Sequence, residues 1–114
     1  MQFLLLIYDQ EKRWSQLTEA QQNSETREFG AFGAEFANSI RGGNALQPTP
    51  TAKTVRVRND KPQVVDGPFA ETKEQLGGYY LVEAKDASEA AAIAAKIPWA
   101  RYGSIEVRPI MIFS

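Results

Sequence analysis

The chain has 114 residues and a formal net charge of -1 at pH 7, which fits one domain with no electrostatic bias toward nucleic acid or an anionic membrane. It contains no cysteine, which excludes disulfides, thiolate metal sites and cysteine nucleophiles. It contains no histidine, which excludes histidine-based triads and the commonest transition-metal ligand. We therefore predict a single domain over residues 1–114 with no metal and no cofactor.

The chain opens with an apolar run, Met1–Tyr8, which the polar residues Asp9–Arg13 end. Such a run predicts a strand that is buried, or nearly so, on both faces. Leu4, Leu6 and Tyr8 point to one face, and the residues between them point to the other. The run is too short to cross a bilayer and has no basic flank, so we read no export signal and expect a cytoplasmic protein.

A long helix is predicted next. Thr18 and Gln21 have the spacing of a capping box, which places the helix start at Thr18. Apolar side chains then recur at helical spacing and form one stripe. The stripe consists of Phe29, Phe32, Phe36 and Ile40. Gly42-Gly43 is predicted to end the helix, because glycine tolerates the left-handed conformation that follows a helix.

The rest of the chain alternates between strand and helix patterns. The predicted elements are a strand at Thr51–Arg58, a turn at Asn59-Asp60, a return strand at Gln63–Val65, a strand at Gly77–Glu83, a helix at Asp86–Ile97 and a strand at Ile105–Phe113. The order is strand, helix, strand with hairpin, strand, helix, strand. This order predicts an α+β, ferredoxin-like split βαβ fold with one antiparallel sheet.

In that fold both helices cover the same face of the sheet. Leu4, Leu6 and Leu81 then leave apolar surface on the opposite face. Exposed apolar patches of this kind mark interfaces, so we expect a second copy to cover the face and form a homodimer. The alternative is that loops of the same chain cover it.

Trp14 and Trp99 are interpreted as packing residues.

Asp66–Glu74 is the most distinctive segment. Asp66-Gly67 is turn chemistry, Pro68 rigidifies the exit, and Phe69 is expected to dock the segment onto apolar surface. The alternative is a structural loop that only links the hairpin to the next strand.

Three stretches resemble one known group. They are DGPFAETKEQLGGYYLVEA at Asp66–Ala84, TAKTVRVRND at Thr51–Asp60 and GSIEVRPI at Gly103–Ile110. These resemble the DGPF group of the YCII-related proteins, and the resemblance covers almost the whole chain. It implies a ferredoxin-like, dimeric α+β barrel fold.

The resemblance implies less about activity. Most members of the DGPF group have no assigned function, and some are associated in their genomes with extracytoplasmic-function sigma factors. The wider family includes lyases and dehalogenating enzymes, for which a His–Asp pair is proposed. This chain has no histidine, so that pair cannot be carried over. Asp66 is the candidate catalytic carboxylate by its position in the motif.

The first functional hypothesis is a module that binds a small, anionic ligand in a cleft on the open sheet face. Arg56 and Arg108 would bind the anion, because a guanidinium donates two parallel hydrogen bonds. Tyr8, Phe69 and Tyr79 would form aromatic walls. The predicted site consists of Tyr8, Arg56, Asp66, Phe69, Glu71, Lys73, Tyr79 and Arg108.

Two other hypotheses stay open. One is a lyase- or isomerase-type enzyme that uses a carboxylate or a tyrosine for proton transfer, with a pKa shifted by burial. The other is a regulatory protein that associates with a sigma factor. Glu106 and Arg108 are alternatively a cross-strand pair on a solvated margin.

Overall fold

A computed structural model describes residues 1–113 of the chain. The elements in chain order are β1 (Gln2–Asp9), α1 (Glu11–Ser15), α2 (Glu19–Glu35), β2 (Ile40–Ala45), β3 (Lys53–Arg58), β4 (Lys61–Asp66), β5 (Gln75–Glu83), α3 (Ala87–Ala94) and β6 (Ser104–Pro109). Two short 3₁₀ turns lie at Thr49–Thr51 and Pro98–Arg101.

Four strands form the main sheet in the order β2-β5-β1-β6, and all neighbours run antiparallel. Strands β1 and β2 are joined through α2, and β5 and β6 through α3. This topology confirms the predicted α+β, ferredoxin-like split βαβ class.

Strand β1 shows why the two faces of the sheet differ. Phe3 and Leu5 are fully buried, and Ile7 is nearly so, because they face the helices. Leu4 and Leu6 lie on the opposite face and are half-buried. The alternation predicted from the sequence is therefore confirmed. The core around β1 includes Phe32, Val82, Ala90, Ile93 and Ile97.

The end of the long helix was predicted wrongly. Helix α2 starts at the predicted capping box, with Thr18 and Gln21 bonded reciprocally, but it stops at Glu35. Gly42-Gly43 lies inside strand β2. A Cβ at Gly43 would come 2.6 Å from the carbonyl oxygen of Tyr79, so close strand pairing requires glycine there. Gly43 therefore serves a tertiary contact, and neither glycine caps a helix.

The predicted hairpin is confirmed, but its place in the sheet was wrong. Asn59 and Asp60 have φ of 51° and 62°, as a tight two-residue hairpin turn requires. Strands β3 and β4 pair only with each other and form a separate two-stranded sheet. Strand β2, which the sequence analysis missed, takes the edge position beside β5 in the main sheet.

Other boundaries differ by a few residues. Asp86 caps α3, which ends at Ala94 and not at Ile97. Strand β6 ends at Pro109, and the apolar residues Met111, Ile112 and Phe113 beyond it are exposed. Helix α1 was not predicted, because five residues are too few to show a period. Within residues 1–113, no helix combines the length and apolar character needed to cross a membrane.

Candidate active site

A cavity of about 770 Å³ lies on the helix side of the sheet, beside the end of β1 and the start of β5. Helix α1, helix α2 and the segment after β2 complete its walls. The aromatic residues that line it are Trp14, Phe29, Tyr79, Tyr80 and Trp99. The position is not the one predicted, which was the opposite face of the sheet.

Small residues on the sheet make room for the cavity. Ala45 and Ile7 both pair with Gly78, so the three positions form a row on one face. Gly77 is the extra residue of a β-bulge where the pairing of β1 with β5 shifts. A Cβ at Gly77 would come 3.2 Å from the Trp99 ring. The small side chains at Ala45, Gly77 and Gly78 therefore leave space above the sheet for the cavity.

Both tryptophans of the chain belong to one aromatic cluster. The ring centroids of Trp14 and Trp99 are 5.7 Å apart, with the planes tilted by 52°. Phe29 meets Trp99 edge to face, with ring centroids 5.5 Å apart. Such contacts stabilise aromatic pairs beyond the burial of their area. The tryptophans pack, as predicted, and they also form a cavity wall.

A charged network lies behind this wall. The Arg13 side chain donates from Nε to Asp9 at 2.6 Å and from both terminal nitrogens to Glu25 at 2.9 Å. The indole N–H of Trp99 donates to Glu25 at 2.9 Å. The guanidinium also lies 4.0 Å from the ring centroid of Tyr102. Asp9 and Glu25 are buried, and the pairing supplies the hydrogen bonds that buried charges require.

The hydrogen bonds from Arg13 hold the pKa of Glu25 below its ordinary value and outweigh the opposing effect of burial. The bond to Glu25 likewise raises the pKa of Arg13. Burial raises the pKa of Tyr80, so its hydroxyl stays protonated at neutral pH. Glu25 and Arg13 are therefore ionised near pH 7 and act as a fixed support.

The opposite wall is a loop that Glu11 anchors. One carboxylate oxygen of Glu11 accepts from the Thr49 amide at 2.7 Å, and the other accepts from the Thr49 hydroxyl at 2.9 Å. The Glu11 amide donates to the Gln75 side chain at 3.0 Å. Pro48 and Pro50 of this loop line the cavity. Helix α1 thus fixes both the aromatic wall and the loop facing it.

The structure does not gather the eight predicted site residues in one place. Tyr8, Tyr79 and Arg108 lie on β1, β5 and β6. Of the eight, Tyr79 contributes to the wall of the cavity, and its hydroxyl accepts from the Asn44 amide at 2.8 Å. Arg108 forms an ion pair with Glu106, which agrees with the alternative prediction that these two residues pair. The pair is not cross-strand, because both residues lie on β6.

The other five predicted residues are exposed. They are Arg56, Asp66, Phe69, Glu71 and Lys73. Asp66 is 83% exposed and pairs with Lys53 at 2.6 Å, so nothing within one chain desolvates it for acid–base work. Phe69 is 79% exposed, so the prediction that it docks on apolar surface is wrong for the single chain. Gly67 has a φ of 95°, which agrees with the predicted turn.

Within residues 1–113 no group of three or more acidic side chains is placed to hold a metal ion.

The sequence profile of the YCII-related domain matches residues 1–114. This chain belongs to the YCII-related family. An uncharacterized protein of Rhizobium meliloti (strain 1021) is 33% identical to it over 117 residues, which cover 99% of this chain and 94% of that protein.

One solved structure has the same fold. It is the 5-chloro-2-hydroxyhydroquinone dehydrochlorinase of Burkholderia phenoliruptrix AC1100 in complex with 2,5-dihydroxybenzoquinone. The superposition has a TM-score of 0.60 and covers 97% of this chain and 94% of the enzyme, at 13% identity. At this identity the similarity establishes the shared fold, which is of the dimeric α+β barrel type.

Asp9, Arg13 and Glu25 were missed as site residues of this YCII-related protein, although the sequence holds a signal for them. Asp9 has the same parity as Leu5 and Ile7 and so faces inward at the end of a buried strand. Glu25 precedes Phe29 by four residues and Phe32 by seven, which places it on the apolar face of α2. A charged residue at an inward position predicts a buried ionic partner.

We expect Glu25→Gln to reduce stability by about 3 kcal/mol near pH 7, since it removes one partner of a buried ion pair. The lowered pKa of Glu25 means that the unfolded state binds its proton more readily. The Glu25 carboxylate therefore stabilises the folded state above pH 4.5, the ordinary pKa of a glutamate, and this stabilisation is lost as the pH falls below that value. Urea denaturation of the unchanged protein and of Glu25→Gln, in steps of about one pH unit from about pH 3 to about pH 7, measures the free energy of unfolding of each. The difference between the two free energies should shrink at acidic pH.

Glu28→Gln is the matched control, because Glu28 forms an exposed pair with Arg101. We expect it to cost less than about 1 kcal/mol. Equal losses for the two variants, or a Glu25→Gln deficit that does not change with pH, would contradict a buried, charged Glu25.

Proposed function

We propose that this protein binds a small planar aromatic molecule in the cavity between Trp14, Phe29 and Trp99. The observation that carries the proposal is an aromatic wall, held in place by hydrogen bonds, that faces a floor of small residues. The volume of about 770 Å³ falls in the range of small-molecule sites, which are mostly apolar with a few placed polar groups. The polar groups here include Asp9, Asn44 and Gln75.

The solved structure with the same fold guides the choice of ligand. The ligand in that structure, 2,5-dihydroxybenzoquinone, is a planar ring with polar substituents. A ring of that kind would stack on aromatic side chains and leave its oxygens to the polar wall groups. Quinones and hydroquinones are therefore the first ligands to test on this chain.

Titration with such ligands should quench the intrinsic fluorescence saturably, because both tryptophans of the chain line the cavity. Ala45→Phe projects a ring from the sheet into the cavity and should weaken binding at least about ten-fold, which corresponds to about 1.4 kcal/mol. Ala91→Phe, at an exposed position of α3, is the matched control and should bind like the unchanged protein. Unsaturable quenching, or Ala45→Phe binding at full affinity, would refute the proposal.

A second candidate function is a lyase that eliminates a group from the bound ring. Asp9 is buried and lines the cavity, with its two oxygens accepting from the Gln10 amide at 2.7 Å and from Arg13 at 2.6 Å. Asp9 would accept the proton of a ring hydroxyl while the bond between the ring and the leaving group breaks, and that group departs with the bonding electron pair. This placement favours Asp9 over Asp66, and the dehydrochlorinase name of the structural neighbour fits the same reaction class.

Chlorinated hydroxyhydroquinones serve as test substrates, with release of chloride as the measurement. We expect Asp9→Asn to lower turnover by about 100-fold or more, the usual contribution of a general base. Asp66→Asn should leave turnover unchanged. If the unchanged protein releases no chloride, or if only Asp66→Asn is inactive, this candidate fails.

We also propose that two copies pair through the open face of the sheet and the hairpin. Support comes from half-buried Leu4 and Leu6 on that face and from exposed valines on β3 and β4. The exposed valines on one face of the hairpin are Val55, Val57 and Val64. Apolar area of this kind is commonly covered in oligomers. The cytoplasmic location and the association with a sigma factor stay predictions.

Light scattering should give twice the chain mass of 12.7 kDa. Val55 and Val64 pair on one face of the hairpin, whereas Arg56 and Gln63 pair on the other. Val64→Asp should therefore shift the protein toward monomer, and Gln63→Asp should not. A monomeric unchanged protein at high concentration would rule the dimer out.

A further inference from the structure

We propose that the ligand of the aromatic cavity carries an anionic group, which Lys12 and Lys73 bind in a polar cleft that adjoins the cavity. The inference rests on the proposed function and names the class of ligand: a planar aromatic anion. It moves the anion site away from Arg56 and Arg108, where the sequence analysis placed it.

The cleft and the cavity share walls. The cleft has a volume of about 360 Å³ and is lined by Gln10, Glu11, Lys12, Thr72, Lys73 and Gln75. Gln10, Glu11, Lys12 and Gln75 also line the aromatic cavity. We infer that one molecule spans these shared residues, with a ring against the tryptophans and a substituent in the cleft. A site with an apolar body and a polar end fits an amphipathic ligand.

Lys12 and Lys73 are the cationic residues that line the cleft. Neither forms an ion pair within residues 1–113. Arg13, by contrast, is saturated by Asp9 and Glu25. An anion in the cleft would therefore meet two ammonium groups that form no ion pair with a carboxylate of residues 1–113.

Glu11 is the carboxylate that lines the same cleft. Each of its oxygens accepts a hydrogen bond from Thr49, one from the amide and one from the hydroxyl. These bonds direct the carboxylate toward the loop after β2 and compensate part of its charge. Glu11 therefore acts as an anchor for that wall, and the two lysines set the preference of the cleft.

The backbone around Lys73 is held in place locally. The Thr72 hydroxyl donates to the carbonyl of Glu74, and the Gln75 side chain donates to the carbonyl of Thr72. Glu74 in turn accepts from the Ser104 hydroxyl at 2.9 Å. Lys73 thus projects from a fixed turn. The proposal gives the distinctive Asp66–Glu74 segment a part in ligand binding through its lysine.

The choice of two lysines suits a rounded anion, because an ammonium group acts as a compact point charge with freely rotating donors. Carboxylate, sulfonate and phosphate share this chemistry. The sulfonate 8-anilinonaphthalene-1-sulfonate and the neutral N-phenyl-1-naphthylamine form a matched pair of probes, since they differ by that one group. Both report through quenching of the two tryptophans and through their own emission.

We expect the sulfonate to bind more tightly than the neutral probe. Lys12→Met and Lys73→Met should each weaken the sulfonate by about five-fold, which is the factor for an exposed charge pair near 1 kcal/mol. Lys73→Met, at a position outside the aromatic cavity, should leave the affinity for the neutral probe within about two-fold, because methionine retains an apolar stem of similar length. Added salt should weaken only the sulfonate. Lys96→Met, at an exposed position outside both the cavity and the cleft, is the control.

The outcomes separate the two proposals. If neither probe binds, or if Ala45→Phe affects neither, the aromatic site itself is wrong. If both probes bind in the cavity with equal affinity, or if Lys96→Met weakens the sulfonate as much as the cleft variants do, the anion site is wrong while the aromatic site stands. A loss confined to the sulfonate and to Lys12→Met and Lys73→Met supports the anion site.

Discussion

The bidentate contact between Arg13 and Glu25 is the interaction on which the rest of the site depends. It joins helix α1 to helix α2, and through Asp9 and Trp99 it ties both to the end of β1 and to the 3₁₀ turn before β6. Four elements thus meet around one guanidinium, and one of them, the 3₁₀ turn with Trp99, is 74 residues from Glu25 in the sequence. Because burying either charge alone would be costly, the network favours one arrangement of these segments. The aromatic wall of the cavity follows from that arrangement.

Periodic patterns in the sequence were enough to predict the fold class and to predict which side chains of β1 face the helices. The alternation in β1 placed Leu5 inward and Leu4 outward, because a strand has a period of two residues whatever it packs against. Capping chemistry located the start of α2 at Thr18 for a similarly local reason. Gly42-Gly43 was misread as a helix end, since the need for glycine at Gly43 comes from the carbonyl of Tyr79, a contact that no local pattern contains.

The candidate site was harder to predict, because it depends on which segments meet. The distinctive Asp66–Glu74 motif drew the prediction to Asp66 and Phe69, yet both are exposed, at the end of β4 and just after it. The cavity instead collects residues from α1, α2 and the loop after β2. Helix α1 is too short to show a period, so Trp14 gave no local sign that it would meet Trp99.

The hydrogen bond from the Trp99 indole to Glu25 has a consequence for the thermodynamics of recognition. A ring held at its nitrogen, and packed against Phe29 and Gly77, has few orientations left to lose. The side chains of this surface lose their conformational entropy when the chain folds and not when a ligand binds. Preorganisation of that kind lets a small guest bind without first ordering its host.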